Sequence, residues 1–271
     1  MKALTKSLLA GAVLAALPMA SALACTTTAW NGGTTAAAAG DPTTGVARYS
    51  GACGLEPTAA VGHVTDNSPN GEADYRARFY VYTGTASGNP VIFEATATDG
   101  GAGAKLVQVT YDTANNQFDF SANGATGSAS GIADNKWYSV EFYYDESAAF
   151  TATVQGAGAA APIAVAIAGA PGAGTIQSAR LGTITAATAA ETMKFDEFES
   201  TRSTTTAIGR LCRGDATADN SINVFDTVAI TRERVNGILA TGQPDCNEDG
   251  NVNVFDTACA VSLRLNSATC G

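Results

Sequence analysis

Residues 136–144 read KWYSVEFYY, and this stretch decides the fold. Successive side chains of a β-strand point to opposite faces of the sheet, so alternate residues share a face. One face begins with Trp137, and the other holds an uncharged set that an antiparallel sheet would turn towards its core. That set is Tyr138, Val140, Phe142 and Tyr144.

The same two-residue period recurs between about residues 70 and 200, in short runs separated by Gly, Asn, Asp and Ser. Such runs with turn residues between them indicate antiparallel strands. Helical periodicity is confined to the C-terminal part of the chain. We therefore predict a mainly β protein, an antiparallel β-sandwich followed by a small α-helical domain. The predicted strands are residues 75–83, 90–98, 105–111, 117–122, 136–144, 149–155, 163–168, 178–184 and 193–201.

Three motifs in this region occur in an informative order: WYSVEF at 137–142, SARLG at 178–182 and FDEF at 195–198. Over residues 70–200 this arrangement resembles the concanavalin A-like and laminin G-like jelly rolls. The resemblance implies a lectin-like sandwich that binds glycan or protein.

The first 24 residues have the organisation of a secretory signal peptide. Lys2 and Lys6 precede an apolar stretch, and the segment ends on small residues around Ala22 and Ala24. A lipoprotein signal prefers Leu at the position of Ala22, so we favour full cleavage before Cys25. We expect a secreted bacterial protein, extracellular or associated with the cell surface, with no membrane span after cleavage.

The charge of the chain argues against two classes of partner. The sequence has 15 Lys and Arg against 25 Asp and Glu, so the net charge is −10, and loss of the two signal-peptide lysines makes it −12. A strongly acidic surface repels nucleic acid and anionic lipid. We therefore expect no nucleic-acid partner and favour divalent cations.

All six cysteines follow the signal peptide, and an even number in an exported chain indicates three disulfides. Cys25 and Cys53 are each other's nearest neighbours, so we pair them. The other four allow three connectivities, of which we favour Cys212 with Cys270 and Cys246 with Cys259. A zinc site is disfavoured because the sequence has no CxxC motif and one histidine.

The C-terminal region contains a duplicated acidic segment. GDATADNSINVFDTVAI from Gly214 aligns without gaps on PDCNEDGNVNVFDTACA from Pro244. Oxygen donors recur at positions one, three, five, seven, nine and twelve of a twelve-residue calcium loop, which predicts two Ca²⁺ ions. Loop one supplies Asp215, Thr217, Asp219, the Ser221 carbonyl, Asn223 and Asp226. Loop two supplies Asp245, Asn247, Asp249, the Asn251 carbonyl, Asn253 and Asp256.

Position six of such a loop needs a positive φ, which Gly250 adopts freely and Asn220 tolerates. A helix is predicted after each loop, and both loops end in Asp where the common EF-hand has Glu. Over residues 212–271 these features resemble the type I dockerin, an EF-hand-related module. The resemblance implies two calcium ions and a cohesin-like partner. Thr217 departs from the usual Asp or Asn, so we expect loop one to bind more weakly than loop two.

These observations divide the chain into four segments: residues 1–24 as signal peptide, 25–200 as sandwich domain, 201–211 as linker and 212–271 as dockerin-like domain. The sandwich domain has an irregular start that the predicted disulfide at Cys25 and Cys53 staples. The last segment has four arginines and eight acidic residues, a net charge of −4 that two divalent cations would cancel. Without metal, repulsion between the carboxylates should loosen its fold.

The dockerin resemblance also implies a partner-binding surface on each loop and its helix. Val and Phe stand where cellulosomal dockerins carry a small hydroxylated pair. Two interpretations stay open: the partner differs, or these side chains pack inward and the module serves only as a calcium-dependent staple. The matching positions are Val224, Phe225, Thr231 and Arg232, and by repeat symmetry Val254, Phe255, Val261 and Ser262.

No catalytic residue is predicted. His63 lies in a turn-like stretch, which favours a surface or loop histidine, and the E-x-D-x-x-E pattern of sandwich glycoside hydrolases is missing. The nearest carboxylate pair is Glu197 with Glu199, which a solvated outer face explains. Exposed aromatic rings could stack on sugars. The candidates are Trp137, Tyr143, Tyr80 and Tyr82.

The leading hypothesis is a non-catalytic extracellular protein whose lectin-like sandwich binds polysaccharide or protein and whose calcium module binds a cohesin-like or cell-surface protein. A second hypothesis follows from the Thr, Ala and Gly rich residues 25–60: a structural subunit that self-associates into an extracellular fibre or surface layer. The third is a polysaccharide-degrading glycoside hydrolase component.

Overall fold

The computed structural model describes residues 27, 30–34, 37–39, 48–147, 150–156, 161–167, 174–203, 206–266, 268 and 270. The predicted signal peptide and Cys25 lie outside the described residues, as does part of the Thr, Ala and Gly rich start. No helix within the described ranges has both the length and the apolar character needed to cross a bilayer.

The described residues form fourteen strands, two short 3-10 turns and two α-helices. In chain order these are β1 (Gly32–Gly33), β2 (Ala37–Ala39), β3 (Leu55–Pro57), β4 (Gly62–Asp66), β5 (Asp74–Tyr82), β6 (Val91–Thr96), β7 (Lys105–Asp112), β8 (Gln117–Ala122), β9 (Ala125–Ser130), β10 (Trp137–Asp145), β11 (Thr151–Gly156), β12 (Ile163–Ala166), β13 (Ser178–Thr183), β14 (Lys194–Thr201), α1 (Val224–Asn236) and α2 (Val254–Leu265). The 3-10 turns are Asp99–Gly101 and Ala190–Thr192.

The strands build two seven-stranded sheets. The first sheet has the order β1-β4-β13-β6-β7-β8-β9, and the second has the order β12-β11-β10-β5-β14-β3-β2. The pairings between these strands are antiparallel. The predicted fold class, a mainly β antiparallel sandwich followed by helices, is confirmed.

Strand β10 lies in the interior of the second sheet, next to the central strand β5, and contributes large side chains to the core. Its residue Val140 pairs with Phe79 of β5 on one side and Val154 of β11 on the other. The face predicted to be internal is buried, with Phe142 only 1% exposed. The Phe142 ring lies 5.0 Å from the Phe93 ring of the opposite sheet. Full burial of such a side chain contributes about 1.5–3 kcal/mol, so β10 ties the two sheets together.

Strands β4 and β9 of the first sheet lie outside the predicted strands. Strand β9 was missed because its small and polar residues give little alternation. Its signal is the turn before it: Asn123 and Gly124 adopt φ of 48° and 94°, and Ala122 pairs with Ala125. Asn-Gly with two positive φ values is the preferred two-residue hairpin turn. Strand β4 was likewise taken for a turn.

The outer face of the second sheet is covered rather than solvated. Tyr49, Tyr80, Tyr82 and Trp137 form a buried cluster there, and Leu211 packs against it. Trp137 and Tyr80 are fully buried. The expectation that these rings are free to stack on sugars was therefore wrong, because distant parts of the chain cover them.

The predicted linker, residues 201–211, is part of this cover. Its backbone N–H groups at Ile208 and Gly209 donate to the Glu141 carboxylate at 3.0 and 2.9 Å. The Leu211 N–H donates to the Tyr80 hydroxyl at 2.7 Å. These hydrogen bonds hold the segment along β10 and β5. The C-terminal module, which follows it directly in the chain, therefore lies against the sandwich.

The C-terminal module has a small core. Its buried apolar residues are mainly alanines around Ile230, and Leu263 packs against them. Disulfides join Cys212 to Cys270 and Cys246 to Cys259, the connectivity favoured from the sequence. Cys53 is also disulfide-bonded, and its predicted partner lies outside the described residues. Small domains with little apolar core depend on such cross-links or on metals for their stability.

Candidate functional site

Loop one gathers three aspartates around a common centre. Carboxylate oxygens of Asp215, Asp219 and Asp226 all lie within 4.8 Å of one another. The Asp215 carboxylate accepts hydrogen bonds from the backbone N–H groups of Asp219 at 3.1 Å and Asn220 at 2.7 Å. The Asp226 carboxylate accepts one from the N–H of Thr217 at 3.0 Å. These bonds close the loop with its acidic side chains converging.

Loop two repeats the same hydrogen bonds. The Asp245 carboxylate accepts from the N–H groups of Asp249 at 3.1 Å and Gly250 at 2.7 Å. The Asp256 carboxylate accepts from the N–H of Asn247 at 3.0 Å. Two windows with similar sequences therefore have the same backbone fold.

The backbone at position six is as predicted, since φ is 63° at Asn220 and 86° at Gly250. Position four is left-handed as well, with φ of 58° at Ala218 and 57° at Glu248. Positive φ at a residue other than glycine is uncommon. Its recurrence at matching positions shows that both loops are wound in the same way.

Position nine has a role that the sequence did not indicate. The side-chain oxygens of Asn223 and Asn253 accept hydrogen bonds from the N–H groups of Phe225 at 2.7 Å and Phe255 at 2.8 Å. Each asparagine therefore caps the helix that follows its loop. A cation would reach this position through the remaining lone pair or a water molecule, as EF-hand loops often do.

Position three differs between the loops. The Thr217 hydroxyl donates to the Asp226 carboxylate at 2.7 Å. At the matching place, the Asn247 amide donates to the Asp249 carboxylate at 3.0 Å while its oxygen accepts the N–H of the same residue at 3.0 Å.

Neither Ser221 nor Asn251, whose carbonyls were assigned to position seven, is buried.

The donor set fits a hard divalent cation. Asp215, Asp226, Asp245 and Asp256 are buried, and within the described chain none of them forms an ion pair with Lys or Arg. Burial first, and neighbouring loop carboxylates in addition, raise the pKa of Asp215 and of Asp245 above the ordinary value. Buried carboxylates require a compensating charge. The acidic cluster of loop one could hold a metal ion that supplies this charge.

The positions assigned to partner binding do not pack inward. Val224 and Phe225 are 51% and 67% exposed, and Val254 and Phe255 are 54% and 67% exposed. Exposed large apolar side chains of this kind make the Val-Phe pairs a candidate interaction surface. The remaining assigned positions are Arg232 and Ser262, which are exposed, and Thr231 and Val261, which are half-buried.

The carboxylate pair considered for catalysis has a structural partner. Glu197 and Glu199 lie 4.0 and 3.1 Å from the Arg78 guanidinium. The histidine is not in a surface loop, which corrects that expectation: His63 lies in β4 and is 9% exposed. Burial, and then the Arg180 charge, lower its pKa.

A pocket of about 290 Å³ opens beside β14. There the pairing with β5 shifts between Asp196 and Glu199, so the strand bulges, and Glu197 takes a φ of 51°. The rings of Trp30 and Phe198 line the pocket with centroids 5.2 Å apart. Bulges and strained residues are frequent next to functional sites. No residue pattern in the sequence indicates this pocket, because Trp30 and Phe198 are far apart in the chain.

No protein-family model matches the chain, and no curated protein matches its sequence. Among solved structures it is similar to the cellulose-induced protein Cip1, at 14% identity and TM-score 0.44, over 70% of this chain and 92% of that one. It is also similar to the Ca²⁺ and mannose-bound exoplasmic domain of VIP36, at 13% identity and TM-score 0.39, over 58% and 80%. A third match is a Trypanosoma rangeli sialidase, at 16% identity and TM-score 0.40, over 55% of this chain and a quarter, 25%, of the sialidase. These similarities concern the fold.

The Asp196 carboxylate generates a test of the bulge. Its Oδ2 accepts the N–H groups of Tyr49 at 2.6 Å and Ser50 at 3.0 Å. Desolvation, and then the Glu197 charge, raise the pKa of Asp196 from 3.8 to about 7. The folded state therefore binds more protons than the unfolded state between these values, and stability falls as pH rises through that window.

We predict that Asp196→Asn removes this pH dependence. Between about pH 4 and pH 8 the native chain should lose this stability and the variant should not, so the free energy of unfolding of the variant minus that of the native chain should rise. We expect a rise of roughly 1–3 kcal/mol, less than the full pKa shift implies, because the Asp196 side chain is partly open to solvent. Denaturant unfolding at a fixed calcium concentration measures the difference, with Asp119→Asn as the control on another strand. A difference that does not change with pH for Asp196→Asn would contradict the assignment.

Proposed function

We propose that the chain is a secreted, non-catalytic extracellular protein whose C-terminal module binds two calcium ions and docks a protein partner. The observation that carries the proposal is the duplicated loop with buried aspartates that form no ion pair with a Lys or Arg of the described residues. All six aspartates of residues 212–271 lie in the two loops. This concentration of aspartates in the two loops suits a module that folds around metal.

Calcium binding and partner binding are linked by position. The last ligand of each loop, Asp226 or Asp256, lies in the first turn of a helix. Loop positions ten and eleven, the Val-Phe pairs, are the first two residues of each helix and directly precede this ligand. A cation that fixes the loop also fixes the orientation of these side chains.

The partner that fits is a protein with an apolar binding face. By resemblance to type I dockerins it is cohesin-like, and the Val-Phe pairs replace hydroxylated residues with apolar ones. A surface dominated by aromatic and branched aliphatic groups binds by apolar burial at its centre. The repeat presents this surface twice.

Calcium stoichiometry tests the first half of the proposal. Calorimetric titration of the full chain should give two sites, with loop one weaker. Asp226→Asn and Asp256→Asn should each leave one site, because each removes the charged twelfth ligand of its own loop. Asp119→Asn, in the sandwich, should keep both. No heat of binding and no change in melting temperature on chelation would refute the calcium proposal.

Partner binding is tested on immobilised cohesin domains that have an apolar dockerin-binding face. We expect capture in calcium, none with chelator, and at least a tenfold loss for the Phe225→Ala, Phe255→Ala double variant, or about 1.4 kcal/mol. Phe142→Ala, a core substitution, should instead lower stability. Equal capture of the double variant and the native chain would show that the Val-Phe pairs are not the partner surface.

Glycan binding by the sandwich is the second candidate, and the pocket beside Trp30 favours it. An aromatic ring in a pocket of this size can stack on a sugar ring. A glycan array probed with the full chain should give signals that fall at least several-fold for Trp30→Ala and persist for Trp137→Phe, since Trp137 is fully buried. Signals unchanged by Trp30→Ala would place any glycan site elsewhere.

A further inference from the structure

The outer face of the second sheet carries an aromatic surface that is occupied by the C-terminal module. This surface, here the aromatic patch, consists of Tyr49, Tyr80, Tyr82 and Trp137. The Tyr49 and Tyr80 rings stack with centroids 3.7 Å apart, and Trp137 lies 5.5 Å from both Tyr49 and Tyr82. A rigid cluster of rings is the kind of surface on which binding energy concentrates.

Loop two covers the patch. The backbone carbonyl of Glu248 accepts a hydrogen bond from the backbone N–H of Trp137 at 3.2 Å. The Glu248 carboxylate accepts one from the Tyr49 hydroxyl at 2.5 Å. The same carboxylate forms an ion pair with Arg210 of the linker. The Tyr82 ring lies so close to Gly250 that a Cβ there would be 2.5 Å from it. Position six of loop two is thus restricted both by backbone conformation and by contact with the sandwich.

The two repeats isolate the feature that selects loop two for this contact. At position four, loop one has Ala218 and loop two has Glu248, although both are left-handed. At position six, loop one has Asn220 and loop two has Gly250. The backbones match, so the contact depends on the carboxylate of Glu248 and on the missing side chain at Gly250.

The acidic residues of the C-terminal module fall into two groups with different contacts. Its two glutamates, Glu233 and Glu248, pair with Arg48 and Arg210, which lie outside residues 212–271. Its aspartates face the loop centres. The glutamates therefore hold the module to the rest of the chain, whereas the aspartates are left for metal.

Metal and docking meet in the same few residues of loop two. Glu248 lies between the assigned ligands Asp245 and Asp249, and its direction depends on the left-handed winding at that point. Repulsion among the loop carboxylates opposes this winding, and a bound cation removes the repulsion. The buried Trp137 Nε1 and Glu248 Oε2 have no hydrogen-bond partner among the described residues. Unmatched polar groups lower the gain from docking, which keeps the contact reversible.

We propose that the aromatic patch is the binding surface for cation-loaded loop two, so that calcium in this loop locks the module onto the sandwich. The proposal rests on the calcium binding proposed above and assigns loop two a task that loop one lacks. By linkage, docking on the patch raises the calcium affinity of loop two by the same factor by which calcium favours docking.

The Trp137 side chain can show whether loop two is docked, because it lies beneath this loop. The chain has two tryptophans, so the signal of Trp137 can be assigned. The full chain labelled with 5-fluorotryptophan gives one ¹⁹F signal per tryptophan, assigned with Trp30→Phe. In calcium we expect the Trp137 side chain to be shielded from solvent, so acrylamide should quench its fluorescence only weakly. Chelation should shift the signal and raise the quenching several-fold.

Matched variants separate the two loops. Asp249→Asn should expose Trp137 in calcium, whereas Asp219→Asn, at the same position of loop one, should leave it shielded. Glu248→Ala should expose Trp137 although calorimetry still detects two calcium ions, and Glu248→Gln should give an intermediate result because it loses only the charge.

The outcomes distinguish this proposal from the calcium proposal. Two bound calcium ions with the same Trp137 shielding in calcium and in chelator would overturn the lock and leave calcium binding intact. Equal exposure by Asp219→Asn and Asp249→Asn, or full shielding in Glu248→Ala, would also overturn it. Absence of calcium binding in the native chain would overturn both proposals.

Discussion

The structure depends on the placement of negative charge in a module that has little core to hold it together. Four aspartates are buried at the loop centres, and the apolar interior around them consists mostly of alanine. Burial of an unpaired carboxylate costs several kcal/mol, more than such a core supplies. Two disulfides meet part of this requirement, and the two cations proposed above would meet the rest. The helices, and the apolar pairs that they expose, are positioned as a consequence.

The sequence predicted what local spacing determines. A positive φ at Asn220 and Gly250 and a helix after each loop both follow from a dozen consecutive residues. The strands with large alternating side chains were also predicted, and Phe142 faces the core as expected. Strand β9 was missed because its side chains are small and polar, although the Asn-Gly turn before it was a usable signal.

Contacts between distant segments could not be predicted from periodicity. Alternation places Trp137 on the outer face of its strand, and whether that face meets water depends on residues more than a hundred positions further along. The bulge at Glu197 and the pocket beside it arise from pairing with β5, and no residue pattern announces them. Glu248 was passed over because calcium-loop spacing gives no role to position four. In the fold it joins the module to the sandwich and the linker, bonded to Tyr49, Arg210 and the Trp137 backbone.

The arrangement assigns separate surfaces of one small module to separate tasks. The loop centres suit calcium, position four of loop two meets the sandwich, and positions ten and eleven of both loops stay exposed. Docking on the sandwich therefore leaves the Val-Phe pairs accessible. A chain built in this way holds its sandwich in a fixed orientation to whatever binds the module, and on the proposals above calcium would control both contacts.

Hydrogen exchange measured by mass spectrometry on the full chain, with disulfides intact, tests the central claim most directly. The amides of Asn220 and Gly250 donate to the buried Asp215 and Asp245 carboxylates, so their exchange reports loop closure. At a calcium concentration about 100 times Kd, exchange in both loops should slow by roughly a hundredfold relative to chelator, with the sandwich strands away from the aromatic patch unchanged. Equal exchange rates with and without calcium would contradict the account.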